Sequence, residues 1–183
     1  MRLFVVLFGL TVLTGLVTGG RLRNLPAAGV RWSALVLPAL GMQLAPAGSW
    51  SMALLYGSFA VLLAFAVRNA HLPGFAAILL GLLLNLTVIT ANRGMPVSAA
   101  AIVRSGQQAS LADLGADRDG AKHRLAGPTT RLAPLGDLLA IPPPIRQIIS
   151  AGDVAVYGGG CWFVVTAMRR RPRAAVAAAD RPA

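Results

Sequence analysis

Residues 74–91 read GFAAILLGLLLNLTVITA, with no charged side chain and only glycine, asparagine and threonine breaking the apolar run. A helix on the surface of a soluble protein keeps a polar stripe for water. This segment has none, and its length matches the roughly 17–25 residues that cross a bilayer core. Working outward, four further apolar segments have the same character: residues 3–19, 33–48, 51–67 and 153–168. The segment 33–48 is the least regular, carrying Pro38, Gln43 and Pro46. Proline is tolerated in a spanning helix where neighbours re-satisfy the freed carbonyls. The expectation is an all-α, polytopic membrane helix bundle of about five transmembrane helices. Residues 3–19 also read as a signal peptide, because Arg2 precedes a leucine-valine run; no small-x-small cleavage site precedes Arg21.

Composition agrees. The 183 residues are 56% hydrophobic and 13% charged, with a mean hydropathy of +0.66, which leaves too little polar surface to cover a soluble core. The net charge of +11 raises nucleic acid as a partner. However, the arginines sit at the ends of apolar runs, and no basic face interleaved with aromatics is present. Glutamate is absent and all but one of the 17 basic residues are arginine, a mix that reads as coding bias. The single cysteine, Cys161, lies within an apolar run, so disulfides and cysteine metal sites are excluded. No cofactor and no metal are expected.

Orientation follows from the arginines, because short cytoplasmic loops collect them. Arg169, Arg170, Arg171 and Arg173 abut the last span, placing the C-terminus inside. Counting back, Arg68 and the loop with Arg21, Arg23 and Arg31 also fall inside, and the N-terminus falls outside. Trp32 and Trp50 stand at span ends, where indoles prefer the headgroup layer. The chain then divides into a four-span bundle (1–92), an extracytoplasmic loop with a re-entrant or interfacial segment (93–152), a fifth span (153–168) and a basic disordered tail (169–183). Residues 92–103 carry a turn signal and a small apolar patch. Residues 104–124, with Asp113, Asp117 and Asp119, read as mobile surface. Residues 125–152 regain leucine and isoleucine, yet Pro134 and Pro142–Pro144 forbid a span; the segment is expected on the membrane surface or against the helix ends.

Several polar residues stand where polarity is costly. Asn85 and Asn92 share a face of the fourth span, either as interhelical hydrogen bonders or, for Asn92, as an orienting group at the outer mouth. Gly158–Gly160 allow close helix packing. His123, between Lys122 and Arg124, reads as solvated. Asp137 follows Gly136 as a turn residue, and Asp153 suits a helix cap. The alternative joins them. In LGDLLAIPPPIRQIISAGD (135–153) a proline-stiffened apolar link brackets both acids at the membrane boundary. Two carboxylates around one water cannot both ionise, so one serves as acid and the other as base, which activates water for amide or ester hydrolysis without metal.

The stretches NLTVITANRGMPVS (85–98) and HRLAGPTTRLAPLGDLLAIPPPIRQIISAGD (123–153) resemble an uncharacterised membrane family, a domain of unknown function. That resemblance implies a multi-pass protein of the cell membrane of Gram-positive bacteria, with no assigned activity. A second, motif-level resemblance is to lipoprotein signal peptidases. Their Asn-x-Gly motif is similar to Asn92-Arg93-Gly94, and their two catalytic aspartates to Asp137 and to Asp153 in ISAGD. The pattern differs in having Ser150 where that family has Asn and Gly152 where it has Ala. The interval between acids is shorter, and no pair of spans separates Asn92 from Asp137. The candidate site is therefore Asp137 and Asp153 as catalytic groups, with Asn85, Asn92, Arg93, Gly94 and Ser150 binding or orienting.

Three functions fit: an accessory or structural membrane protein whose outer loop docks a partner, a membrane-embedded aspartyl hydrolase, or a small transporter. No ionisable residue lies well inside an expected span, which counts against ion-coupled transport. The expected partners are the lipid bilayer and another membrane protein or a lipid-linked substrate.

Overall fold

The computed structural model describes residues 2–46, 48–115 and 122–170. The expectations for Asp117 and Asp119, and for the tail beyond Arg170, fall outside these residues. Seven helices follow in order: α1 (Arg2–Val17), α2 (Val36–Gln43), α3 (Ser51–Arg68), α4 (Phe75–Asn92), α5 (Ala99–Ser105), α6 (Ser110–Gly115) and α7 (Ala151–Arg169). Four three-residue strands lie among the last of them: β1 (Met95–Val97), β2 (His123–Leu125), β3 (Leu139–Ile141) and β4 (Gln147–Ile149). The fold is mostly helical, but the segment after α4 is not all-α as expected. β1 pairs with β2 in parallel and β3 with β4 antiparallel. The backbone donors and acceptors of a proline-interrupted segment need partners, and short ladders supply them where a helix cannot.

Two helices, α3 and α4, are long and apolar enough to cross a membrane. A third candidate arises if α1 and Leu22–Ala28, bent from it by 100°, form one span. The other expected spans differ. Ser33–Gln43 is apolar but short, and the chain leaves the helix at Leu44 as Pro46 approaches. α7 has 19 residues, yet Asp153 and three consecutive glycines dilute its apolar character.

The helices contact one another in the sequence α2, α3, α4, α7, α1. The apolar cluster between α3 and α4 includes Leu55, Phe59, Leu62, Phe75, Leu82 and Val88. An edge-to-face chain of Phe65, Phe75 and Phe163 ties α7 to it, with ring centroids 5.5 and 5.3 Å apart. The outward faces stay apolar: Phe4, Val5, Phe8, Leu10 and Leu13 of α1 are all exposed.

α4 and α7 meet along a seam of glycines spaced seven residues apart on each helix. A Cβ at Gly81 or at Gly152 would collide with the other's carbonyl oxygen, and one at Gly159 would stand 2.5 Å from the Gly74 oxygen. The pairing 74 with 159 and 81 with 152 makes the two helices antiparallel. Of the Gly158–Gly160 run, only Gly159 faces this seam; Cβ atoms at Gly158 and Gly160 would meet nothing within 4 Å.

α1 runs parallel to α7. Leu3 N–H donates to Gln147 Oε1 at one end (3.3 Å), and Thr11 Oγ1 contacts Cys161 Sγ midway (2.9 Å). At the far end the Arg21 amide and Asn24 Nδ2 both donate to the Met168 carbonyl, each at 2.8 Å. There too Asn69 Nδ2 donates to the Arg31 oxygen while its Oδ1 accepts from the Arg31 amide, both at 2.8 Å. The opposite end of the bundle carries the strands and α5, which fold back as a cap.

Candidate functional site

At the base of the cap, α7 begins with a closed ring of polar groups. Ser150 is the N-cap: its Oγ accepts from the Asp153 amide (3.0 Å), and Asp153 Oδ2 accepts from the Ser150 amide (3.0 Å). This reciprocal capping box satisfies amides that a helix start leaves open. Asn85 of α4 then closes the ring from outside. Its Nδ2 donates to Asp153 Oδ1 (2.9 Å), and its Oδ1 accepts from Ser150 Oγ–H (2.8 Å). Gly152 leaves the room for this contact, since a Cβ there would strike Asn85 Oδ1. Three of the seven expected site residues are therefore brought together as one unit, and both Asp153 oxygens hold hydrogen bonds.

Asp137 is placed by different elements. Its amide donates to the Pro96 oxygen (2.8 Å) and its carbonyl accepts from the Ser98 amide (3.0 Å), so it bridges to Val97 beside β1. Gly136 permits that approach, because a Cβ would lie 2.6 Å from the Pro96 oxygen. The residue is 6% exposed, and among the described residues no donor hydrogen-bonds to its carboxyl oxygens. That carboxyl lines a cavity of about 830 Å³ together with Arg2, Gln107, His123, Arg146 and Gln147. Asp153 is not among the described residues lining it.

His123 Nε2 stands 3.9 Å from Asp137 Oδ2, too far for a hydrogen bond. Burial first, and the Asp153 charge second, push the Asp137 carboxyl up to about 7. Desolvation pulls His123 below its ordinary value, with Asp153 opposing and Lys122 assisting. Because 57% of the His123 side chain remains open, solvent blunts that shift. Both shifts favour the neutral forms, so the two groups are not a fixed ion pair.

The remaining expected residues lie at the C-terminal end of α4. Asn92 Nδ2 donates to the Arg131 oxygen and its Oδ1 accepts from the Arg131 amide, each at 2.8 Å. Arg93 ends α4 in the left-handed region at φ 54°, and Gly94 follows at φ 152°, a conformation only glycine adopts freely. These three are apart from the Asp137 cavity, whose lining includes none of them.

The sequence reading missed His123, Arg146 and Gln147 as cavity residues. His123 looked solvated, and only its pairing opposite Met95 in the β1–β2 ladder turns it toward Asp137. Arg146, held at φ 51° before β4, gave no signal beyond the prolines ahead of it. Among the described residues no group of three His, Cys, Asp or Glu side chains is gathered to hold a metal.

A family model described as "Family of unknown function (DUF5317)" matches residues 27–165, which is most of the chain, so the chain belongs to that family. No curated protein and no solved structure shows significant similarity to it. The likeness to lipoprotein signal peptidases therefore rests on its motifs alone.

Proposed function

We propose that this member of the DUF5317 family is a multi-pass membrane protein whose cap, outside the cytoplasm, receives a polar group from a partner in the Asp137 cavity. The observation that carries this reading is Asp137, 6% exposed, standing in the wall of a cavity large enough for a side chain or headgroup. A carboxyl in a cavity wall keeps lone pairs available to an entering donor. A hydrogen-bond donor or cation from a partner membrane protein, or from a lipid-linked molecule, would complete it.

Five passes are supported by connectivity. Arg31 is held at the C-terminal end of α3 by Asn69, while Ser51 begins α3 at the other end. The chain thus passes from one end of the bundle to the other between Arg31 and Ser51, with Ser33–Gln43 helical. Lys122 Nζ then takes the Gln43 and Ala45 carbonyls (2.7 and 2.5 Å) on the cap side. Arg21, Arg23, Arg31, Arg68 and Arg169 gather at the opposite end, the distribution expected of a cytoplasmic face.

The test is a photo-crosslinking residue at Gln107 in the membrane-embedded full chain. An adduct that Asp137→Asn abolishes and Gly158→Ala leaves intact supports the docking reading. An adduct indifferent to Asp137 removes it.

A hydrolytic reading is favoured by one observation, the Asp137 carboxyl at about 7, where it can both take and give a proton. In that reading Asp137 handles the proton of an attacking water, and Asp153, held by Ser150 and Asn85, acts as a fixed negative charge. Hydrolysis of an amide or ester probe that survives Asp137→Asn would eliminate it.

A further inference from the structure

Within the Asp137 cavity the charges are sorted by depth. Asp137 is 6% exposed, whereas Arg2 and Arg146, which line the same cavity, are exposed. Contacts place both guanidinium groups. Arg2 Nη1 donates to the Pro144 oxygen at 3.3 Å. Arg146 Nε lies against Gly106, itself a lining residue, 3.9 Å from where a Cβ would stand. Among the described residues neither arginine has a carboxylate within ion-pair distance, and Asp137 has no cation. His123 does not serve as one, since its Nε2 is 3.9 Å from Asp137 Oδ2 and burial pulls it below its ordinary value.

This arrangement selects among ligands. A simple anion would answer the outer cations and face the acid with its own charge. A simple cation would answer the acid and have two guanidinium groups beside it. A group that is positive at its tip and negative a few bonds behind matches both layers. A primary ammonium brings three donors. The Asp137 carboxyl can accept from it, and so can Gln107 Oε1, because Gln107 Nε2 already donates to Ser105 Oγ (3.0 Å). Behind the ammonium, guanidinium forks match phosphate oxygens two at a time. Val97, Ile102 and Ile148 give the cavity an apolar wall for the methylenes between.

The surroundings of Arg2 supply the carrier of such a group. Arg2 opens α1, and the following turns of that helix expose Phe4, Val5 and Phe8. The rings of Phe4 and Phe8 stack with centroids 6.1 Å apart. Hydrocarbon leaving the cavity beside Arg2 therefore meets an apolar track on a helix that belongs to a candidate span. Resting on the docking reading of this cavity, we infer that its occupant is an aminophospholipid headgroup, with the primary ammonium on Asp137 and Gln107 and the phosphate on Arg2 and Arg146.

The test is native mass spectrometry of the full chain released from nanodiscs. These hold equal amounts of phosphatidylethanolamine, its N-monomethyl and N,N-dimethyl forms, phosphatidylcholine and phosphatidylglycerol. Retention falls with each methyl added, by about tenfold in all from the ethanolamine to the choline lipid, because the methyls replace donors and leave the phosphate alone. Asp137→Asn removes the preference for ethanolamine. Arg146→Gln weakens every lipid alike, since all carry the phosphate. Arg131→Gln, outside the cavity lining, changes nothing. The methylation series leaves the protein untouched, so it decides even where Asp137→Asn fails to fold. Equal retention of the ethanolamine and choline lipids, or a preference for phosphatidylglycerol, overturns the inference. So does O-phosphoethanolamine in detergent if it raises the melting temperature as far as phosphatidylethanolamine does, which assigns the site to a soluble ligand. No lipid preference beside a Gln107 adduct that still depends on Asp137 leaves the docking reading standing and removes this inference alone.

Discussion

Asn85 and Asp153 are joined by a 2.9 Å hydrogen bond between α4 and the first turn of α7. Asp153→Asn removes the charge from the capping box and turns one amide toward another, which costs about 1–2 kcal/mol. Asn85→Asp sets a carboxylate against a carboxylate and costs more. Melting of the purified protein and its membrane abundance should both fall in that order. Equal stability of all three proteins would mean that the ring contributes nothing.

The glycine seam predicts a sharp split between neighbours. Gly152→Ala and Gly81→Ala force α4 and α7 apart, because each added methyl meets backbone or the Asn85 amide. A loss of about 2–4 kcal/mol is expected, as for overpacked cores at the severe end. Gly158→Ala and Gly160→Ala, with open space, should be neutral or stabilising by up to about 1 kcal/mol. Thermal unfolding of the four variants decides this, and a uniform effect along the run would contradict the seam.

Stability should also depend on pH through Asp137. Its carboxyl, raised from 3.8 to about 7, binds its proton more tightly in the folded chain than in the unfolded one. The stability it contributes is whole below about pH 4 and is lost as pH rises through 7. At about 1.4 kcal/mol per unit, the span is about 4.5 kcal/mol as an upper bound. Asp137→Asn should flatten that part of the profile. An unchanged slope between pH 4 and 7 in the variant would show that Asp137 titrates normally.

The topology has a direct check. A reporter fused within residues 116–121 should be active only outside the cytoplasm, and one fused after Ala70 only inside. Activity of the 116–121 fusion in the cytoplasm would invert the whole arrangement.

Much of this was legible in the sequence, and the reasons differ from element to element. The uninterrupted apolar run of α4 specifies itself, and the capping expected of Asp153 is met in a shared form, with Ser150 as the N-cap and Asp153 three residues on. The segment after Ser33 is less regular than its hydropathy, which registers Leu35, Val36 and Leu40 but not the early end of the helix near Pro46. The strands were hidden for another reason. Three residues are too few for an alternation to show, and β1 pairs in parallel with a strand 28 positions further along the chain. His123 and Arg146 share that difficulty, since their roles depend on which backbone each is laid beside.

The parallel run of α1 along α7 has a practical side. Arg2 forms part of the wall around Asp137, and the carbonyl of Met168 holds the far end of the same hairpin through Arg21 and Asn24. The first helix is thus both latch and doorpost: clipping it off would loosen one end of the bundle and leave the Asp137 chamber one side short. A purification handle placed ahead of Arg2 would crowd that doorway.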